Sequence, residues 1–210
     1  QEGVWDSDEV AGTFQAASRP ALAMRGPALA TGLVRALSDT LIYTAWNGSS
    51  WTSIAPVGGA ITTGDTPALA SGSTGEAHAT FHGALTDFHY YARHDGAEWN
   101  PDDEVVSASD VDSFGPSAAA IAVVDDLPLV VYAGDDDNLY VQTRGGAGWT
   151  EGLDISGARS VDETPAVTAL AAGAEGDALV VFAATDTSLQ WTRRDGGTWS
   201  APLPIEDALS

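Results

Sequence analysis

One short pattern recurs four times in this chain and limits what it can fold into. Residues Leu189–Ser200 read as a strand, a tight turn at Asp195-Gly196 and a second strand opened by Trp199. The same order returns in Leu41–Trp51 around Asn47-Gly48, in Phe88–Trp99 around Asp95-Gly96, and in Leu139–Trp149 around Gly145-Gly146. Asn-Gly, Asp-Gly and Gly-Gly tolerate positive φ at both turn positions, so each copy predicts a tight β-hairpin. The closing tryptophans Trp51, Trp99, Trp149 and Trp199 lie 48, 50 and 50 residues apart. A fixed period of that size marks a repeat architecture.

Each repeat opens on a proline: Arg19-Pro20, Thr66-Pro67, Gly115-Pro116 and Thr164-Pro165. Proline is tolerated at the first residue of a strand because no ladder bond is lost there. An apolar second strand follows, clearest in Leu129–Tyr132 and Leu179–Phe182, and a polar turn leads into the hairpin. Four strands per unit of about 50 residues, with apolar runs that read as buried on both faces, predict an all-β chain folded as a β-propeller. The expected repeats span about 18–57, 65–106, 114–156 and 163–206, in one domain. Trp5 lies on the same period, 46 residues before Trp51, so residues 1–14 are expected to form a surplus N-terminal strand. An unpaired strand or blade edge invites association, which predicts a homo-oligomer or part of a larger propeller.

Composition narrows the partners. Thirty acidic residues against eight basic ones give a net charge of −22, and every basic residue is arginine. That surface repels nucleic acid and anionic membranes. Salt screens its self-repulsion, so salt tolerance is expected. With no Cys, disulfides and thiolate metal sites are excluded. No apolar run approaches the roughly 20 residues of a membrane helix. An opening Gln1 in place of Met fits a processed, exported protein, so the expected location is secreted or cell-surface.

The turn Arg194-Asp195-Gly196-Gly197-Thr198-Trp199-Ser200 resembles the Asp-box of bacterial-neuraminidase-type repeats, with its Asp-to-Trp spacing one residue short and Asp replaced by Asn47 or Gly145 in other copies. The box is structural in that family, so the resemblance implies fold rather than catalysis. The repeats also look like those of bacterial and fungal fucose-binding propeller lectins, which take sugars in the clefts between blades. That resemblance implies a binding module in which an aromatic, an Arg and polar groups meet a glycan or other small polar ligand. The candidates are Arg93, Arg144 and Arg194, read as one equivalent position with Trp46 in the first repeat, and the third-strand aromatics Tyr43, Tyr90 and Trp191, with Val141 as the exception. The alternative for any one of them is interblade core or an ion pair.

All four histidines, His78, His82, His89 and His94, fall in the second repeat, where His78 takes the place of Leu129 and Leu179. His78 and His82 are roughly 13 Å apart along a strand, too far to share an ion. Pairs across the hairpin leave Zn or Cu open. The acidic stretches at 102–104, 110–112 and 135–137 leave Ca open, against the alternative of a solvated rim. The leading expectation is a non-enzymatic, carbohydrate-binding module with no required cofactor. The alternative is an assembly protein joined through its surplus strand, and a sialidase-like glycoside hydrolase stands third.

Overall fold

The computed structural model describes residues 15–24, 30–57, 62–85, 88–104, 119–134, 136–157, 169–172 and 176–205, and every regular element among them is a β-strand. The first sheet holds β1 (Ala21–Met24), β2 (Ala30–Arg35), β3 (Leu41–Trp46) and β4 (Ala55–Pro56), in that order. The second holds β5 (Ala68–Ser71), β6 (Ala77–His82), β7 (His89–His94) and β8 (Trp99–Glu104). The third is β9 (Ala120–Val124), β10 (Leu127–Ala133) and β11 (Leu139–Gly145), with its outer strand divided into β12 (Gly148–Trp149) and β13 (Leu153–Asp154). The fourth repeats that plan in β14 (Ala169–Ala172), β15 (Ala178–Ala183), β16 (Leu189–Asp195), β17 (Thr198–Trp199) and β18 (Leu203–Pro204). All pairings are antiparallel. The innermost strands pack side by side in chain order, β1 on β5, β5 on β9 and β9 on β14, so the four sheets stand as successive blades around an axis. Pro20 and Pro67 sit directly before β1 and β5, whereas Pro116, Pro165 and the strand expected over residues 1–14 lie outside the described residues.

The division of the outer strand has a local cause. The residue after the tryptophan carries a hydroxyl in three blades, and that oxygen replaces a ladder carbonyl. Thr52 Oγ1 accepts from Ala45 N at 3.0 Å, Thr150 Oγ1 from Thr143 N at 3.0 Å and Ser200 Oγ from Arg193 N at 3.1 Å. A third-strand side chain donates in return: Thr44 Oγ1 to Thr52 O, Gln142 Nε2 to Thr150 O and Thr192 Oγ1 to Ser200 O, at 2.7–2.9 Å. The second blade has Asn100 and Ala92 at these positions, so backbone pairing continues and β8 runs unbroken apart from a register shift between Tyr91 and Arg93. Asp102–Glu104, expected as an acidic loop, therefore belong to β8. Residues 110–112 and 135 lie outside the described residues.

The turns also differ from the simplest expectation. Positive φ at two successive residues occurs at Gly196-Gly197, one step later than Asp195-Gly196, because Asp195 still pairs with Thr198. In the first two hairpins only Gly48 and Gly96 take positive φ, and Asn47 and Asp95 brace the turn by accepting backbone N–H bonds through Oδ1. This is the Asx arrangement that Asn and Asp favour.

The core lies between blades. Leu33, Leu41 and Val57 of the first blade face Ala77, Ala79 and Phe81 of the second. Leu129, Val131 and Leu139 of the third face Ala178, Val180 and Phe182 of the fourth. At these two seams a forward face of Leu and Val meets a backward face of Ala, Val and Phe. A fully buried Leu or Phe in such a layer contributes about 1.5–3 kcal/mol. Among the described residues no helix is long and apolar enough to cross a membrane.

Candidate functional site

Strand pairing within the hairpins identifies which residues are equivalent. Each closing tryptophan pairs with the residue five positions before it: Trp46 with Trp51, His94 with Trp99, Arg144 with Trp149 and Arg194 with Trp199. The true row is therefore Trp46, His94, Arg144 and Arg194. Arg93 is off it by one residue, and because strand side chains alternate, it projects from the opposite face. Its equivalents, by pairing with the second strand, are Ala45, Thr143 and Arg193. The same parity replaces Tyr90 with Tyr91. Tyr43, Tyr91, Val141 and Trp191 each lie eight residues before a tryptophan and pair with Leu33, Thr80, Val131 and Val181. Tyr90 instead packs with Phe81 toward the first blade.

These rows meet across the seams between blades. At the seam of the second and third blades, the Arg144 guanidinium lies 5.3 Å from the centre of the Tyr91 ring, and Trp149 meets that ring edge-on at 5.3 Å. His78 Nδ1 is 2.6 Å from Tyr91 Oη. Burial raises the Tyr91 pKa to about 12, so the phenol keeps its proton and shares a hydrogen bond with a neutral His78. Burial is also the main reason the His78 pKa falls to about 4, with the Glu76 carboxylate opposing it. Glu76 accepts from Thr74 Oγ1 at 2.7 Å and pairs with Arg93, and these contacts hold its carboxyl below its usual value. Its Oε2 lies 3.9 Å from His78 Nε2. The buried Trp149 Nε1 has no acceptor among the described residues. One seam therefore gathers a guanidinium, a carboxylate, an indole N–H and aromatic edges.

The neighbouring seams vary this plan. Between the first and second blades, Tyr43, His94 and Trp99 form an aromatic triad with centroids 5.3–5.7 Å apart, and Trp99 Nε1 likewise lacks an acceptor. Between the third and fourth, Val141 stands in the aromatic position. There Arg194 Nη1 donates to Gly176 O at 2.7 Å and lies 3.6 Å from Asp125 Oδ2. Trp46 and Trp51 pair at 5.8 Å on the first blade, and Trp191 lines a groove of about 380 Å³ on the fourth with Arg193, Asp195, Trp199 and Leu203.

The histidines separate into two settings. His78 belongs to the Tyr91 seam and His94 to the Tyr43 seam, while His82 and His89 are paired neighbours with ring centroids 5.4 Å apart. His89 is fully buried beside Tyr132, and that burial lowers its pKa to about 3. Among the described residues no three or more of His, Asp and Glu are grouped to hold a metal.

No family model matches this sequence, and no curated protein sequence matches it. Solved structures do. A lectin from Burkholderia pseudomallei is similar with a TM-score of 0.71 at 18% identity, over 92% of this chain and 56% of its own. AofleA from Arthrobotrys oligospora is similar at 0.70 and 14%, over 89% and 56%, and it is also known as a variant with three arginines replaced by alanine. The Aleuria aurantia lectin, described as a six-bladed β-propeller with a novel fucose recognition mode, is similar at 0.62 and 17%, over 89% and 62%. This chain thus spans a little over half the length of these lectins, and its fold is a β-propeller resembling theirs.

Proposed function

We propose that this protein is a non-enzymatic carbohydrate-binding module that takes sugars in the seams between its blades, with the principal site at Arg144, Trp149, Tyr91, His78 and Glu76. The observation that supports this reading is a buried indole N–H at Trp149 without an acceptor among the described residues, beside a guanidinium and a carboxylate drawn from two blades. A buried donor left unpaired costs about 1–3 kcal/mol, and a ligand hydroxyl removes that cost. Arg144 and Glu76 then hydrogen-bond further hydroxyls, while the apolar face of a sugar packs on Trp149. Tyr91 acts beneath them as a positioning residue, since its ring faces the guanidinium and His78 fixes its hydroxyl. The resemblance to fucose-binding propellers makes a fucoside the first ligand to try, and a secreted or cell-surface location is the one that fits such a ligand. Hydrolysis as in a sialidase finds less support, because among the described residues Arg93 and Arg144 share the Tyr91 seam while Arg194 lies at the next.

The test is a titration with methyl α-fucoside followed by tryptophan fluorescence, alongside a glycan array. Arg144→Ala is expected to weaken binding roughly 10- to 100-fold, as loss of a charged hydrogen bond does. Trp149→Phe removes the N–H with most of the ring retained and is expected to weaken it by about tenfold. Silence of the folded protein across the array rejects the reading.

A further inference from the structure

One layer of the seam between the second and third blades differs in kind from the same layer of its neighbours. In the seam before it, Leu41 packs with Phe81, and in the seam after it, Leu139 and Ala133 pack with Phe182. Strand pairing puts His89 at the position of Leu41, Leu139 and Leu189, His82 at that of Ala133 and Ala183, and Tyr132 at that of Phe81 and Phe182. A hydrocarbon layer has become two imidazoles and a phenol. His89 is 0% exposed and Tyr132 1%. Yet neither ring nitrogen of His89, nor His82 Nε2, nor Tyr132 Oη has a hydrogen-bond partner among the described residues. Buried polar atoms are ordinarily satisfied, and each one that is not costs its desolvation. The three rings adjoin: His82 and His89 have centroids 5.4 Å apart at 70°, and His89 and Tyr132 5.7 Å apart.

We propose that His82, His89 and Tyr132 form a binding site for a single divalent transition-metal ion of the kind that imidazole suits, Zn(II) or Cu(II), which ties the second blade to the third. Imidazole nitrogens bind zinc at about 2.0–2.1 Å, so two rings sharing a tetrahedral ion have their centres roughly 5 Å apart. The histidine pair already stands close to that separation. Burial keeps His89 neutral, the form that offers a lone pair to an ion. The phenol of Tyr132 is the third donor, from the opposite blade; on coordination it gives its proton to solvent, so binding releases acid. Because one donor is a phenol, this set is not among groupings of His, Asp and Glu alone. An ion there meets the lone pairs that the layer leaves unanswered, which no apolar neighbour can do.

None of these three residues belongs to the proposed sugar site, and the test contains no sugar. The variants come from the chain's own neighbouring seams: His82→Ala, His89→Leu and Tyr132→Phe, each installing the residue that a sister blade carries, with circular dichroism to verify folding. The 210-residue chain is stripped with a chelator, loaded with Zn(II) or Cu(II) and desalted in molar NaCl, which screens the acidic surface. Elemental analysis is expected to find a single ion per chain, and zinc to raise the Tm. Calorimetric titration should show His82→Ala and His89→Leu each weakening the ion by about 10- to 100-fold or more, since loss of even an outer-shell partner costs that much. Without metal, His89→Leu should melt above the parent, and zinc should leave its Tm unmoved. In the copper form a visible phenolate-to-copper charge-transfer band is expected, and Tyr132→Phe should abolish it. A chain that retains neither ion overturns the proposal. So does an ion, or a zinc-dependent rise in Tm, that persists in the His82→Ala/His89→Leu double variant, which would assign the metal to surface carboxylates. A parent without the charge-transfer band, or a Tyr132→Phe protein that keeps it, removes the phenol from the site.

Discussion

Acidification should unfold this protein partly through His78, and the size of the effect follows from the seam. The folded pKa is about 4, against an ordinary value of 6.5, mainly because burial removes the imidazole from water. The unfolded chain therefore takes up this proton first as pH falls. The stability associated with neutral His78 is complete above pH 6.5 and is lost progressively between 6.5 and about 4. At about 1.4 kcal/mol per pH unit, this amounts to about 3 kcal/mol. His78→Leu installs the residue found at the equivalent places in the third and fourth blades, Leu129 and Leu179, and removes the titration. At pH 7 the variant should be the less stable protein, because buried Tyr91 Oη loses its hydrogen-bond partner at a cost of about 1–3 kcal/mol. As pH drops toward 4 the difference should shrink by about 3 kcal/mol and change sign. His89 is present in both proteins, so its similar contribution cancels. Urea unfolding followed by tryptophan fluorescence at half-unit pH steps, in molar NaCl to screen the surface carboxylates, measures both curves. Stability profiles that stay parallel from pH 7 to 4 refute the reasoning.

Three further outcomes are expected. Leu139→Ala, inside the seam between the third and fourth blades, should cost about 2–5 kcal/mol in urea unfolding, whereas Leu189→Ala at the equivalent exposed position should cost less than about 1 kcal/mol. Thr150→Val removes the hydroxyl that accepts from Thr143 N and should cost about 1–2 kcal/mol by the same measurement, with no effect on the other blades. With a charge of −22 the Tm should rise between low and molar NaCl, and a flat response in differential scanning calorimetry removes the idea that self-repulsion limits stability.

Much of this architecture was legible because the turn chemistry recurs at a fixed period. Tryptophan and turn positions located the hairpin of each described sheet, Pro20 and Pro67 precede the first strands of two of them, and His78 was correctly matched to Leu129 and Leu179. The site was read less well, for reasons of parity. In a strand, adjacent residues face opposite ways, so Tyr90 and Tyr91, or Arg93 and His94, differ by a whole side of the sheet. Counting two to three residues back from a turn glycine leaves that parity open. Counting from the tryptophan settles it: five back gives Trp46, His94, Arg144 and Arg194, and eight back gives Tyr43, Tyr91, Val141 and Trp191. The closing tryptophans themselves were treated only as punctuation, although Trp99 and Trp149 supply the indole N–H groups of the seams. The division of the outer strand was equally present in the Trp-Thr and Trp-Ser pairs. What the sequence lacked was any sign that a hydroxyl substitutes for a ladder carbonyl, since that bond depends on how the strand bends away.

Because the proposed site at Arg144 and Glu76 draws one wall from each of two adjoining blades, a molecule lodged there would act as a rivet. Prising the blades apart would mean first expelling the guest, so occupancy at free guest concentration c would raise the unfolding free energy by RT ln(1 + c/Kd), and with it the melting temperature. If the proposed site takes a sugar, heat resistance and recognition become one measurable quantity, and a thermal-shift screen over soluble sugars reports both at once.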